Sequence, residues 1–325
     1  MSSNMHKLMF LPVIAGPTAS GKTALAVEMA LRFGGEVVSA DSMQVYDTLT
    51  IGTARPTADE MRGVPHHLLG FVPLSDRYNV AQYVVDAHAA VRAVCERGNL
   101  PILCGGTGLY MDAVTDNLTF SGDGGDAAMR KSLRDRAAAE GGEALLAELA
   151  EVDPDTAARL HPSDTGRIVR ALELFRTSGI TMSRHAELSR SEPSPYDPCR
   201  IVLSCRDRAV IYDRIDQRVD AMLAAGLEVE ARTVLATEHA PTAMQAIGYK
   251  ELAPAVSGDI LMEQAVENLK RATRRYAKRQ MSWFRRYAGT HVLYIDDYVS
   301  AGDLFDAAED VIRGSGQIVQ NSMSS

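Results

Sequence analysis

The sequence predicts an α/β protein, a parallel sheet covered by helices and interrupted by a helical insertion. Three observations carry this. The loop Gly16-Pro17-Thr18-Ala19-Ser20-Gly21-Lys22-Thr23 matches GxxxxGK[ST] and stands between an apolar, strand-like run and a helical pattern. Short apolar runs then alternate with helical spacing as far as about residue 120, the signature of strands buried on both faces. Beyond that point helical segments take over, bounded by breaker-rich stretches at 121–125 and 191–195. The expected organisation is a P-loop NTPase-like core of residues 1–120 and 199–325, with a helical insertion domain at 121–198.

Each element has its own signal. Residues 11–15 read as a buried strand, 22–33 as a helix stopped by Gly34-Gly35, and 36–40 as a second strand. Asn79 can cap a helix whose apolar positions Val80, Tyr83, Val84, Ala87, Val91, Val94 and Cys95 keep helical spacing, with Gly98 as its end. Residues 101–104 form another buried strand, closed by Gly105-Gly106. Helices are expected at 127–139, 143–150 and 164–177, and strand character returns at 201–205. A helix over 210–225 stops at Gly226. A long helix can start at an Asp259 cap and run to about Tyr287, spanning on the order of 40 Å. A last strand at 291–295 precedes a short helix.

Composition narrows the class. The 325 residues are 46% hydrophobic and 23% charged, which excludes disorder, collagen or a coiled-coil array as the main architecture. No apolar run approaches the ~18–20 residues of a membrane helix. Cys95, Cys104, Cys199 and Cys205 have neither disulfide-framework nor metal-site spacing, and a reducing cytoplasm suits them. Lys7 followed by the apolar run 8–15 resembles a short signal peptide. The phosphate loop needs that run as its strand, so the strand reading is taken. With a net charge of −8, a polyanion would have to meet a local basic patch.

Several residues carry chemistry. Backbone N–H groups of residues 16–23 can hold phosphate oxygens, assisted by the helix N-terminus. Lys22 adds a full charge, and the Thr23 hydroxyl can ligate Mg²⁺. Asp41, in Asp41-Ser42-Met43-Gln44, follows the second strand at the carboxyl edge of the sheet, where such folds bind ligands. It is a candidate base or metal ligand; spacing alone favours a turn or cap aspartate. Gly105-Gly106-Thr107-Gly108 ends its strand with a hydroxyl where many P-loop ATPases have an aspartate, its glycines permitting a ligand to come close. Asp296 and Asp297, after the last strand, are rival acids. Arg214 and Arg218, one helical turn apart, form either a phosphate clamp or an ion-pair ladder with Asp213, Asp216 and Asp220. His66-His67 has no metal-ligand spacing and reads as structural.

Charge is segregated in the long helix. Met262, Val266, Leu269, Thr273, Tyr276, Gln280, Trp283 and Tyr287 recur at alternating four and three, an inward seam. Lys270, Arg271, Arg274, Arg275, Lys278, Arg279, Arg285 and Arg286 cover much of the rest. In an acidic chain this concentration favours a polyanion, with Arg167 and Arg170 adding positive charge in the insertion.

Taken together, the motifs resemble the tRNA dimethylallyltransferase (tRNA isopentenyltransferase) family. GPTASGKT at 16–23, DSMQVY at 41–46, IGTARPT at 51–57, VPHHLL at 64–69, GGTGLY at 105–110, RIVRALE at 167–173, RIDQRVDAML at 214–223, QAIGYKE at 245–251 and AKRQMSWFRR at 277–286 stand in the family's order. With no cysteine after Cys205 to build a zinc finger, the resemblance is to the bacterial form. It implies transfer of the dimethylallyl group of dimethylallyl diphosphate to N6 of the adenosine 3′-adjacent to the tRNA anticodon. The phosphate loop then holds a diphosphate, with Mg²⁺ as cofactor and the tRNA anticodon stem-loop as partner. The resemblance assigns the general base to Asp41, a threonine beside the reacting centre to Thr107 and a diphosphate arginine to Arg218. It puts Asp41, Ser42, Met43, Gln44, Thr107, Arg130, Arg167 and Arg170 on tRNA-contacting segments. It adds Gln245, Gly248, Tyr249, Lys250, Lys278, Arg279, Gln280, Trp283 and Arg285. The sequence departs from the family pattern at Ser282, usually threonine, at Gly166, usually larger and polar, and at 121–126, which lacks a proline. A monomer in the cytoplasm, with no membrane association, is expected. Two other classes stay open at this point: a kinase or isopentenyltransferase acting on free nucleotides, and a non-enzymatic P-loop RNA-binding protein. The first leaves the insertion and basic helix unexplained; the second leaves Asp41, Thr107 and Arg218 without roles.

Overall fold

The computed structural model describes residues 8–120, 126–287 and 289–315. Lys7 and the linker expected at 121–125 lie outside the described residues. The chain divides into two compact units, one of residues 1–115 and 195–325, the other of 116–194.

The larger unit opens with strand β1 (Met9–Ala15), helix α1 (Lys22–Phe33) and strand β2 (Gly35–Ala40). Gly34 ends α1 in the left-handed region, at φ 61°, where a side chain would be strained. A one-turn helix α2 (Ala58–Met61) precedes the two-residue strand β3 (His66–His67). Helix α3 (Val80–Glu96) starts at Asn79, whose side chain accepts from the backbone N–H groups of Ala81 and Gln82. Strand β4 (Leu100–Gly105) and helix α4 (Gly108–Thr115) complete this half.

The smaller unit holds α5 (Ala127–Glu140), α6 (Gly142–Val152), α7 (Pro154–Ala157), α8 (Thr165–Ser178) and α9 (Met182–Leu188). Leu133, Leu145, Leu149, Ile168 and Leu172 close its own core. The sequence reading did not include α7 and α9, which are too short to show a period. They are set by caps instead: Asp153 accepts from Thr156 N, and Thr181 accepts from Arg184 N.

The chain returns to the larger unit through β5 (Tyr196–Ser204). The strand begins ahead of the expected 201, because it pairs with the whole length of β1, from Met9–Tyr196 to Ala15–Val202. Helices α10 (Arg208–Ala224), α11 (Leu227–Ala236), α12 (Tyr249–Val256) and α13 (Met262–Phe284) follow. Strand β6 (His291–Tyr294) and helix α14 (Ala301–Gly314) end the described chain. The long helix is shorter than expected at both ends. Asp259 is not its cap: the carboxylate accepts from the Ser257 hydroxyl, and the helix starts after Leu261, whose N–H is met by Gln264.

The sheet is wholly parallel, in the order β3-β2-β4-β1-β5-β6. Ile14, Leu25, Met29, Ile102, Ile201 and Leu203 form the core between strands and helices. The carboxyl ends of β1, β2 and β4 therefore lie side by side, which brings the loops at 16, 41 and 105 together. Among the described residues no helix is long and apolar enough to cross a membrane.

Candidate active site

The loop after β1 turns sharply into α1. Gly21 has φ 88° and Ala19 φ 63°, the left-handed positions from which anion-binding nests are built, while Thr18 N is taken by the Gln280 side chain and Ser20 N by the Pro17 carbonyl. Lys22, first residue of α1, places Nζ 3.4 Å from the Pro17 carbonyl oxygen. Burial and the neighbouring Arg218 guanidinium push its ammonium pKa below the usual lysine value. Burial likewise lowers Arg218, which projects from α10 and donates from Nη2 to the Ala54 carbonyl at 3.5 Å. Two cations withdrawn from water side by side call for an anion.

Asp41 stands one residue beyond β2. Its Oδ1 accepts from Met43 N (2.9 Å) and Gln44 N (3.3 Å), so the turn reading is true. Among the described residues Oδ2 has no hydrogen-bond donor. The Asp41 charge opposes the lowering of both Lys22 and Arg218. A cavity of about 350 Å³ is lined by Lys22, Thr23, Asp41 and Arg218 and, on its apolar side, by Ile215, Val219 and Met222. Thr18, Ser42, Met43 and Gln44 also line it. So do Gln245, Gly248, Lys250, Arg279 and Gln280.

Thr107 stands one step back from the cavity. Its Oγ1 accepts from Ser42 N at 3.0 Å and donates to Ser42 Oγ at 3.3 Å, fixing the turn that carries Asp41. Of the glycines around it Gly105 lines the cavity, as expected for close approach of a ligand, but the space that a side chain would take at 105, 106 and 108 is filled by protein. A Cβ on Gly105 would run into the Ala40 backbone, one on Gly106 into the Gln280 amide, and one on Gly108 into the Trp283 ring. They let β2 and α13 come close. Gln280, buried at 5% exposure, accepts from Thr18 N at 2.9 Å and donates to the Gly106 carbonyl at 2.9 Å. It thus bolts the phosphate loop to the loop of Thr107. Tyr249 is likewise inward, donating its hydroxyl to Glu230 at 2.7 Å. Trp283 Nε1 donates to Asp112 at 3.0 Å, and Arg286 stacks over the indole.

No residue of the inward seam is exposed: Leu269 and Gln280 are buried, and Met262, Val266, Thr273, Tyr276, Trp283 and Tyr287 are partly so. Ala265, Ala277, Met281 and Phe284 are buried beside them. The helix packs against α10, α12 and α4, so its buried face is wider than one seam and shifts along its length. The arginine alternatives also divide. Asp216 and Asp220 pair across to Arg274 (2.6 Å) and Lys270 (2.7 Å) of α13, while Arg218 faces the cavity. Lys278, Arg279 and Arg285 are exposed, and no carboxylate pairs with them among the described residues.

In the smaller unit Arg130 binds both oxygens of the buried Glu173 (3.0 and 2.8 Å). Arg170 reaches the same carboxylate at 3.4 Å; Arg167 is exposed. The rival acids are committed elsewhere: Asp296 accepts from the N–H groups of Arg206 and Asp207, and Asp297 pairs with the Arg206 side chain at 2.7 Å. His67 contacts Glu36 at 2.6 Å, while His66 holds the Val64 carbonyl at 2.9 Å and lines the cavity. The wall of the cavity also rests on Glu230, which holds the backbone of residues 50–52, and on Arg55, whose guanidinium holds the carbonyls of Tyr46, Asp47 and Leu49. No local pattern marks them, because their partners are backbone groups distant in sequence or arranged as a loop.

A phosphate loop at the carboxyl edge of a parallel sheet, with two desolvated cations and a carboxylate in one cavity, defines an α/β protein of the P-loop type with an anion-suited site. The comparisons narrow the class. The family model described as IPP transferase matches residues 44–287. A tRNA dimethylallyltransferase of Caldanaerobacter subterraneus subsp. tengcongensis is 41% identical, over 93% of this chain and 97% of its own. One of Symbiobacterium thermophilum is 48% identical, over 85% and 86%. The solved tRNA isopentenylpyrophosphate transferase of Bacillus halodurans is similar at a TM-score of 0.70 and 39% identity, covering 94% of this chain and 96% of that one. A eukaryotic dimethylallyltransferase acting on tRNA gives 0.78 at 26% identity, over 94% and 80%. The chain belongs to the IPP transferase family, a family of prenyl-transferring enzymes.

Proposed function

We propose that this enzyme transfers the dimethylallyl group of dimethylallyl diphosphate to N6 of the adenosine 3′-adjacent to the anticodon of tRNA. The observation that carries the reading is one cavity lined by the buried cations Lys22 and Arg218 and by the carboxylate of Asp41. An exocyclic adenine amine is a poor nucleophile until its proton is taken. As N6 bonds to the allylic carbon, the carbon–oxygen bond to diphosphate breaks and Asp41 accepts the proton. The leaving diphosphate gathers charge against the loop N–H groups, Lys22 and Arg218. Ile215, Val219 and Met222 offer the prenyl chain an apolar wall.

Mg²⁺ fits the residues present. No cluster of three His, Cys, Asp or Glu suited to a metal occurs among the described residues. Thr23 lines the cavity, and Mg²⁺ is commonly held by few protein oxygens together with substrate phosphates and water. Bound there, it would neutralise diphosphate charge.

The exposed Lys278, Arg279 and Arg285 support binding of the anticodon stem-loop, whose single-stranded bases can be flipped out for chemistry. Arg167 and Arg170 of the insertion domain would add phosphate contacts. The reading takes the enzyme as a cytoplasmic monomer, which sedimentation of the free protein checks. The direct test is mass spectrometry of tRNA incubated with enzyme and donor, with dimethylallyl adenosine expected next to the anticodon. Unmodified tRNA with hydrolysis of added ATP would favour a kinase-like reading instead. Charge reversal at Lys278, Arg279 and Arg285 should weaken tRNA binding and flatten its log–log salt slope by about 0.7–0.9 per lost phosphate contact.

A further inference from the structure

We propose that Glu230 is a positioning residue for the donor site, its carboxylate clamping the wall segment 50–54 so that the Ala54 carbonyl can hold Arg218 and Gln44 beside Asp41. The inference rests on the reading of that cavity as the donor site. Glu230, on α11, collects five donors. Oε2 accepts from Ile51 N (2.9 Å), Thr50 N (3.2 Å) and the Thr50 hydroxyl. Oε1 accepts from Gly52 N (2.8 Å) and the Tyr249 hydroxyl (2.7 Å). A Cβ on Gly52 would come within 2.7 Å of that hydroxyl, so the loop is seated without spare room. On its other side the Arg55 guanidinium donates to the carbonyls of Tyr46 (2.7 Å), Asp47 (2.7 Å) and Leu49 (3.0 Å).

The clamped segment then acts on the cavity. Gly52, Thr53 and Ala54 line it. Ala54 has φ 49°, a left-handed conformation costly for a residue with a side chain and kept only where its surroundings over-determine it. Gln44 Nε2 donates to the carbonyls of Thr53 and Ala54, each at 3.1 Å, and Arg218 Nη2 donates to Ala54 at 3.5 Å. The path is short: Glu230, the backbone of 50–54, then two side chains that face substrate. A carboxylate is required because only two acceptor oxygens can serve donors on both sides. A glutamine would turn an NH₂ against backbone N–H groups.

The test is Glu230→Gln in the full chain. We expect the amides of 50–54 to exchange hydrogen faster. Inorganic pyrophosphate binding and kcat/KM for dimethylallyl diphosphate should each fall about tenfold, the order expected for losing charge-assisted hydrogen bonds and alignment. Arg232→Ala, which removes only an exposed ion pair with Glu228 on the same helix, should change none of these. If Glu230→Gln does not fold, Thr50→Val and Tyr249→Phe each remove one donor to the carboxylate and should lower pyrophosphate binding about two- to threefold. Faster loop exchange with unchanged pyrophosphate binding and kinetics overturns the proposal, as does unchanged exchange. A wild-type enzyme that prenylates no tRNA would sink the proposed function, while pyrophosphate binding and exchange would still decide the clamp.

Discussion

Strand β2 carries a carboxylate at each end, and the two live under opposite regimes. At its amino end Glu36 is buried, at 3% exposure. It accepts from Arg97 Nε (3.0 Å) and Nη2 (2.6 Å), from Asn99 Nδ2 (2.6 Å), and contacts His67 Nε2 at 2.6 Å. The Arg97 hydrogen bonds hold its pKa down to about 2. Just beyond the carboxyl end, Asp41 uses one oxygen to fix a turn, has no donor to the other among the described residues, and lines a cavity with Lys22 and Arg218. A carboxylate whose lone pairs are all engaged is a structural anion. One with an oxygen to spare, beside cations that need a partner, is available for chemistry. Sequence offers an acidic residue at both places; the partners decide.

The largest effect is expected at Asp41. Asp41→Asn keeps the turn but cannot take a proton, so the single-turnover rate at saturating tRNA should fall about 10²–10⁴-fold while tRNA binding persists. A near-wild-type rate would make Asp41 as structural as Glu36. Next come Lys22→Ala and Arg218→Ala, each expected to slow transfer about a hundredfold, roughly 3 kcal/mol of charge stabilisation at the leaving diphosphate. Pre-steady-state kinetics should show the loss in the chemical step.

Glu36→Gln is the converse experiment. It should leave the rate of the folded enzyme unchanged and cost stability, about 2 kcal/mol once the half-exposed Arg97 is discounted for solvent screening. Thermal unfolding reads this directly. Because the folded pKa lies below the ordinary carboxylate value, the wild-type contribution is complete above about pH 4.5 and is lost as pH falls towards about 2. The variant should lack that part of the acid limb. A rate loss comparable to Asp41→Asn would erase the distinction between the two ends. The smallest effect belongs to Thr107→Ala, which removes a neutral hydroxyl that accepts from Ser42 N and donates more weakly to Ser42 Oγ. It should cost about 0.5–1.5 kcal/mol, a few-fold in rate, through a looser Asp41 turn.

What could be read in advance followed from how local each signal is. Helix α1 was bounded in the sequence by the Lys22 and Gly34 signals and spans Lys22–Phe33 in the structure. The α3 cap at Asn79 is two side-chain-to-backbone bonds within three residues. The long helix misled, since Asp259 has a cap's composition but its carboxylate goes to Ser257. The glycines at 106 and 108 misled in another way: their need for space is visible in sequence, but what fills it comes from α13, some 175 positions away.

The sequence by itself determined the phosphate loop, the alternation of strand and helix, the place of Asp41 after its strand and the family, because each depends on neighbours along the chain. Only the tertiary structure decided which charges are free. Arg274 and Lys270 are spent on Asp216 and Asp220, Asp296 and Asp297 on Arg206, and Glu230 on a loop, whereas Arg218 and one oxygen of Asp41 are left to the cavity. A side chain's chemistry is set by what desolvates and pairs it. Those partners lie on other elements, at distances along the chain that no local pattern encodes.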